Sequence, residues 1–160
     1  MHPQIIDLSP TTLIGHVQEM SLANDKTQPL FQQFMPQRNT IIGRTDNRVY
    51  DLRVYAPGLD FSTFGPTTTF IKWAAVEVSE APAEQPGYHS FSLRGGLYAC
   101  FDHHGPAAEV GRVFGYIFQQ WLPTSGYQLD ERPHFEIMAE GYQPMAPDAK
   151  EQIWIPIKTN

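Results

Sequence analysis

One cysteine, Cys100, in 160 residues leaves no internal disulfide to form, and so little cysteine suits a reducing compartment, the cytoplasm. No apolar run approaches the roughly 20 residues that a membrane-spanning helix needs. Nor does an apolar stretch follow Met1, as a secretory leader would require. Positive charge is also scarce: 11 Lys and Arg face 17 Asp and Glu, a formal net charge of -6, with no basic cluster. Binding to a phosphate backbone needs a basic stripe, so direct nucleic-acid binding is not expected. Gly95-Gly96 lacks the Lys-Ser/Thr context of a phosphate loop. No Ser-His-Asp or Cys-His constellation supports a nucleophile, and Cys100, within an apolar stretch, reads as a buried small hydrophobe. No cofactor motif is present. With 41% apolar residues the chain is nevertheless a folded globule, long enough for one domain over residues 1–160.

The second half of the chain carries the clearest pattern. Residues 97–104 form a compact apolar run entered through Gly95-Gly96 and left through Gly105-Pro106, which predicts a covered strand. Val113, Phe114, Ile117, Phe118 and Trp121 follow at the spacing of one buried helix face, ended by Pro123 and Gly126. Residues 133–139 alternate, with Phe135, Ile137 and Ala139 on one face and His134, Glu136 and Met138 on the other. Ile153, Ile155 and Ile157 make an aliphatic face suited to lie under the helix, leaving Gln152, Trp154 and Pro156 opposite. From this Glu136, Met138 and Trp154 are expected to share the helix-free side.

The first half repeats the order. Residues 5–20 read as one strand interrupted at Ser9-Pro10-Thr11-Thr12, residues 30–35 as a helix limited by Pro36, and residues 48–55 and 67–78 as strands. Trp73, Ala75 and Glu77 share a face of the last of these. Phe31-Gln32-Gln33-Phe34-Met35-Pro36 matches Phe118-Gln119-Gln120-Trp121-Leu122-Pro123. Residues 81–87, rich in proline and without periodicity, form a connector between halves of about 1–80 and 88–160. The expected fold is α+β: two strand-helix-strand-strand modules related by a pseudo-twofold axis, with antiparallel sheets and a ligand groove between them.

These segments together, from residues 31–36, 49–55 and 72–78 through 96–106, 121–127, 133–136 and 153–157, resemble the gyrase-inhibitor-like (GyrI-like) small-molecule-binding domain, which is also the effector-binding domain of many bacterial regulators. The resemblance spans nearly the whole chain. It implies a central groove for bulky hydrophobic and aromatic compounds, cationic ones included, as in multidrug-type sensors or sequestering proteins. It also implies a recurrent buried glutamate on the strand after the second helix, and Glu136 holds that position. A further acidic residue of some relatives, two places before the aromatic of the last strand, is replaced here by Gln152.

The regulators of the family add a separate DNA-binding domain, for which this chain has no residues over, so a stand-alone module is expected. Its partner would be a hydrophobic or cationic small molecule, with a regulator or gyrase as protein partner. Two alternatives come with the resemblance: a hydrolase of strained natural products with Glu136 as general acid or base, and a gyrase-interacting inhibitor.

The candidate ligand residues are Glu136, Trp154, Trp73, Tyr98 and Met138, with Tyr50 as a further aromatic. A carboxylate between Phe135 and Ile137 is costly unless paired, whereas the bland alternative is a solvent-facing strand residue. The aromatics could attract a cation within about 6 Å of a ring, or simply fill the core. Cys100, Asp102 and His104 lie on one face, but neighbours along one strand rarely converge on a metal, so no metal site is assigned.

Overall fold

The computed structural model describes every residue except Ala81 and Ala83, so part of the connector 81–87 lies outside the described residues. The elements are β1 (Gln4–Leu8), β2 (Thr11–Met20), α1 (Thr27–Gln37), β3 (Val49–Val54), β4 (Phe70–Val78), β5 (His89–Leu93), β6 (Gly96–His104), α2 (Val110–Tyr116), β7 (Tyr127–Leu129), β8 (His134–Met138) and β9 (Lys150–Thr159). α2 continues through a π-helical turn (Ile117–Trp121) and a closing turn (Leu122–Thr124), and the three pieces act as one second helix. All strand pairings are antiparallel, and the fold is α+β.

The sheet order is β1-β6-β9-β8-β3-β4-β2-β5, with β7 on β9. It reads alike from both ends: β6-β9-β8 from the second half meets β3-β4-β2 from the first, and β3 and β8 form the seam. The repeated hexapeptides fall in the two helices, where Leu30 and Ile117, each just before its motif, are both buried. Only the outermost strands are exchanged. β1 pairs with β6 of the far half, and β5 pairs with β2.

This exchange corrects the reading of residues 5–20 as one interrupted strand. Ile6 stands opposite Tyr98, whereas Leu13 stands opposite Glu77. Ser9-Pro10 is therefore where the chain leaves one ladder for another, and Pro10 has no N–H to continue the first. β5 and β7 were not anticipated; β5 is five residues long and β7 three.

Both helices lie on one side of the sheet. α1 covers Ile14, Val49, Ala74 and Val76, and the second helix covers Ala99, Phe101, Ile153, Ile155 and Ile157, as expected for that aliphatic face. The other side is closed by the sheet itself. β1 and β2 are joined through only residues 9–10, and β5 and β6 through 94–95. At about 3.3–3.6 Å per residue such links hold the two ends of the sheet together. A Cβ at Gly95 would lie 2.4 Å from the Leu8 carbonyl oxygen and 3.1 Å from the Pro10 ring, so glycine is required where the links cross. The curled inner face buries Leu13, Leu52, Trp73, Leu93, Tyr98, Cys100, Phe135 and Trp154. Burial pushes the Cys100 thiol up to about 12, with Asp102 adding to the shift.

Candidate functional site

Across the seam Asp51 stands opposite Glu136 and Arg53 opposite His134. On the next ladder Glu136 stands opposite Ile153, and Met138 opposite Glu151. Directly opposed residues project to the same side of a sheet. Since Ile153 lies under the second helix, Asp51, Arg53, His134, Glu136, Met138 and Glu151 all point into the trough between the two helices. Lys72, opposite Arg53 on β4, joins them.

The five sequence-predicted residues therefore divide. Glu136 and Met138 lie on the helix-bearing face, but Phe135 is the residue opposite Trp154, and those two rings stack inward at 5.3 Å. Trp73 and Tyr98 belong to the same inner core, as does Tyr50. The expectation that Glu136, Met138 and Trp154 share the helix-free side is corrected. The alternation within each strand is as expected, and Trp154 does lie on the helix-free side; Glu136 and Met138 lie on the other, because the register sets Glu136 opposite Ile153 and Phe135 opposite Trp154. Tyr98 is held firmly inside: its hydroxyl donates to the Pro133 carbonyl at 2.8 Å, and the Arg132 guanidinium lies 4.6 Å from its ring. Trp73 packs on Phe91 of the exchanged strand β5.

In the trough three carboxyls meet two cations. Lys72 Nζ lies 3.2 Å from Asp51 Oδ1 and donates to the Thr27 hydroxyl at 2.9 Å, tying the start of α1 to the sheet. Arg53 donates through one Nη to Glu136 Oε1 at 3.0 Å. Glu151 is buried, and its Oε1 has no partner. Burial is the main influence on Glu136 and raises its pKa to about 8; Arg53 opposes the rise, and Asp51 and Glu151 add to it. The ion pair favours an ionised Glu136, yet one end-on contact does not offset burial beside two other carboxyls. Glu151 is raised as well, again chiefly by burial. The pair Glu136 and Glu151 thus holds its proton more tightly than carboxyls in water.

An aromatic frame surrounds these charges. The Arg53 guanidinium lies 4.8 Å from the Phe114 ring centroid. The His134 ring is flanked by Tyr55 at 5.0 Å, Phe61 at 5.5 Å and Phe118 at 6.1 Å. Burial, with Arg53 adding, lowers the His134 pKa to about 3, so the imidazole is neutral and does not compete for carboxylates. The second helix thus supplies Phe114 and Phe118, and the loop after β3 supplies Tyr55 and Phe61. Chemically the trough offers carboxyl oxygens framed by π faces, a combination suited to a flat or bulky organic cation.

Sequence reasoning missed Asp51, Arg53, Lys72 and Glu151. The signal was present in β3, where Asp51 and Arg53 alternate with Leu52 and Val54 within a segment read as a strand. Such charges inside a sheet must find partners, and those partners lie on other strands.

The Pseudomonas aeruginosa transcriptional regulator BrlR is 24% identical over 159 residues, covering 98% of this chain; the chain spans 56% of that regulator's length. Among solved structures, SAV2435 bound to tetraphenylphosphonium matches with a TM-score of 0.65 at 17% identity, covering 99% of this chain and 94% of that one. A hydrolase from Listeria innocua matches with a TM-score of 0.62 at 12% identity, covering 98% and 92%. Likenesses this distant establish the fold and not the ligand. The family model for the GyrI-like small molecule binding domain matches residues 1–158, and the chain, with its twofold sheet and its buried glutamate in the trough, belongs to that family.

Proposed function

We propose that this domain binds hydrophobic, aromatic small molecules, lipophilic cations included, in the trough over the β3–β8 seam. Glu136 would be the recognising carboxyl, Met138 an adaptable apolar floor, and Phe114, Phe118, Tyr55 and Phe61 the walls. The observation that carries this reading is a buried carboxyl cluster framed by aromatic rings. The tetraphenylphosphonium complex of a structural relative supports it by analogy of fold. The binding would serve sensing or sequestration in the cytoplasm, the sensor reporting to a protein partner such as a regulator or gyrase.

The test compares methyltriphenylphosphonium with neutral triphenylphosphine oxide by calorimetry at about pH 9, where the raised Glu136 carboxyl is ionised, using the parent protein and Glu136→Gln. Losing one member of a desolvated charge pair costs about 2–5 kcal/mol, so the cation should weaken by a factor of tens or more, and the neutral compound little. Equal losses for both compounds would remove Glu136 as a charge-recognising group.

A second reading, hydrolysis with Glu136 as general acid, is favoured by one observation: its raised pKa keeps a proton available near neutrality. Chromatography of the recovered ligand separates the two readings. Unchanged compound supports binding, and a hydrolysed product supports catalysis.

A further inference from the structure

We propose that Arg53 is a built-in competitor for the site, an internal cation that occupies Glu136 and the Phe114 ring until a ligand displaces it. The inference rests on the binding reading above and deepens it by naming the residue that sets the ligand preference.

A lipophilic cation is recognised by two things, a carboxylate out of water and the face of an aromatic ring. Arg53 already takes both. Its Nη lies 3.0 Å from Glu136 Oε1, and its guanidinium carbon lies 4.8 Å from the Phe114 centroid. The Tyr55 hydroxyl lies beside the same guanidinium. A protein side chain thus makes the contacts that an aromatic cation would make from solution.

Arg53 is also placed so that it can leave. The side chain keeps 24% of its surface exposed, against 5% for the Lys72 side chain, and its one ion pair is end-on rather than a two-point clamp. Lys72 contrasts with it: enclosed and bonded to both Asp51 and Thr27, it is a fixed structural cation. The trough therefore holds one cation anchored to α1 and one partly exposed beside the second helix.

Two consequences follow. A monocation binds only after Arg53 swings out, so its apparent affinity is reduced by the cost of that displacement. Neutral aromatics of the same shape, which do not need the carboxylate, are penalised less. Arg53 thereby biases the site toward ligands whose gain at Glu136 exceeds that of a guanidinium already in place.

The experiment uses the full chain and four variants: Arg53→Met, Arg53→Lys, Glu136→Gln, and the double variant Arg53→Met with Glu136→Gln. Calorimetric titrations with methyltriphenylphosphonium and triphenylphosphine oxide are run at about pH 9, above the range to which burial raises a carboxyl, alongside thermal melts. Arg53→Met should bind the cation about tenfold or more tighter than the parent, with the neutral compound nearly unchanged. Arg53→Lys keeps a competing charge and should stay near the parent. The double variant should lose the gain, because the gain comes through Glu136.

Cation affinity that is unchanged or weaker in Arg53→Met, with the parent still binding both compounds, overturns the competitor role and leaves the binding reading standing. A gain that persists in the double variant also overturns it, since the effect would then be one of space. Failure of the parent and all four variants to bind either compound overturns the binding reading and this inference with it.

Discussion

Glu136 is costly to the fold in a way that can be measured. Its carboxyl titrates near 4.5 in an unfolded chain but is raised to about 8 in the folded protein. The folded state therefore holds the proton more tightly. As pH rises past the ordinary carboxyl range the unfolded chain releases its proton first, and stability falls until the folded carboxyl has ionised as well. Glu136→Gln removes this slope. At low pH parent and variant both present a neutral group to Arg53 and should melt alike. From about pH 5 to about pH 8 the variant should gain steadily on the parent. A melting difference that stays flat across that range would show that Glu136 ionises normally. The pairing itself was not legible in the chain, because Arg53 and Glu136 are 83 positions apart and only strand register joins them.

At the scale of elements, β9 has two faces with different duties. Ile153, Ile155 and Ile157 seat the second helix, while Trp154 fills the inner core against Phe135 and Tyr98. The aliphatic face was readable from alternation alone, as were the helix above it and the strands on either side. Trp154, expected as a ligand wall, lies in the inner core, and a tryptophan in an alternating strand looks the same whether its face is a groove or a closed core. Its removal should act on stability: Trp154→Ala leaves a large cavity costing about 3–5 kcal/mol, which lowers the melting temperature by about 6–20 °C for a domain of this size. Well below that temperature, affinity for methyltriphenylphosphonium should stay close to that of the parent. Weakened binding with an unchanged melt would return Trp154 to the ligand. Trp73 and Trp154 face away from the trough, so calorimetry is a better reporter of binding than their fluorescence.

For the molecule as a whole, the exchanged outer strands make the halves interdependent. β6 needs β1, which lies at the other end of the sequence, and β5 needs β2. A fragment of residues 88–160 would leave β5 unpaired and uncover Tyr98 and Cys100 on β6. We expect that fragment to lack native far-UV dichroism and dispersed NMR spectra by itself, and to gain structure when residues 1–80 are added. A fragment that folds alone would mean that each half is a unit and that the exchange only decorates it. The intact chain should unfold in one cooperative transition, with dichroism and fluorescence coincident.

The sequence by itself determined both helices and the longer strands β3, β4, β6, β8 and β9 with their order, because periodicity, proline and glycine act over a few residues; the short strands β5 and β7 and the split of residues 5–20 into two strands came from the tertiary pairing. It determined the repeat through the two related hexapeptides, the family resemblance, and the identity of Glu136 as a carboxyl out of place in a covered strand. Tertiary structure decided the rest. Which ladder each strand joined depended on two-residue links at 9–10 and 94–95 that cross over each other. Which face held Glu136 depended on a register in which a shift of one residue turns every side chain over. That register placed Arg53 beside Glu136 and kept Trp154 away from it, and no pattern confined to a single strand encodes the alignment of one strand against the next.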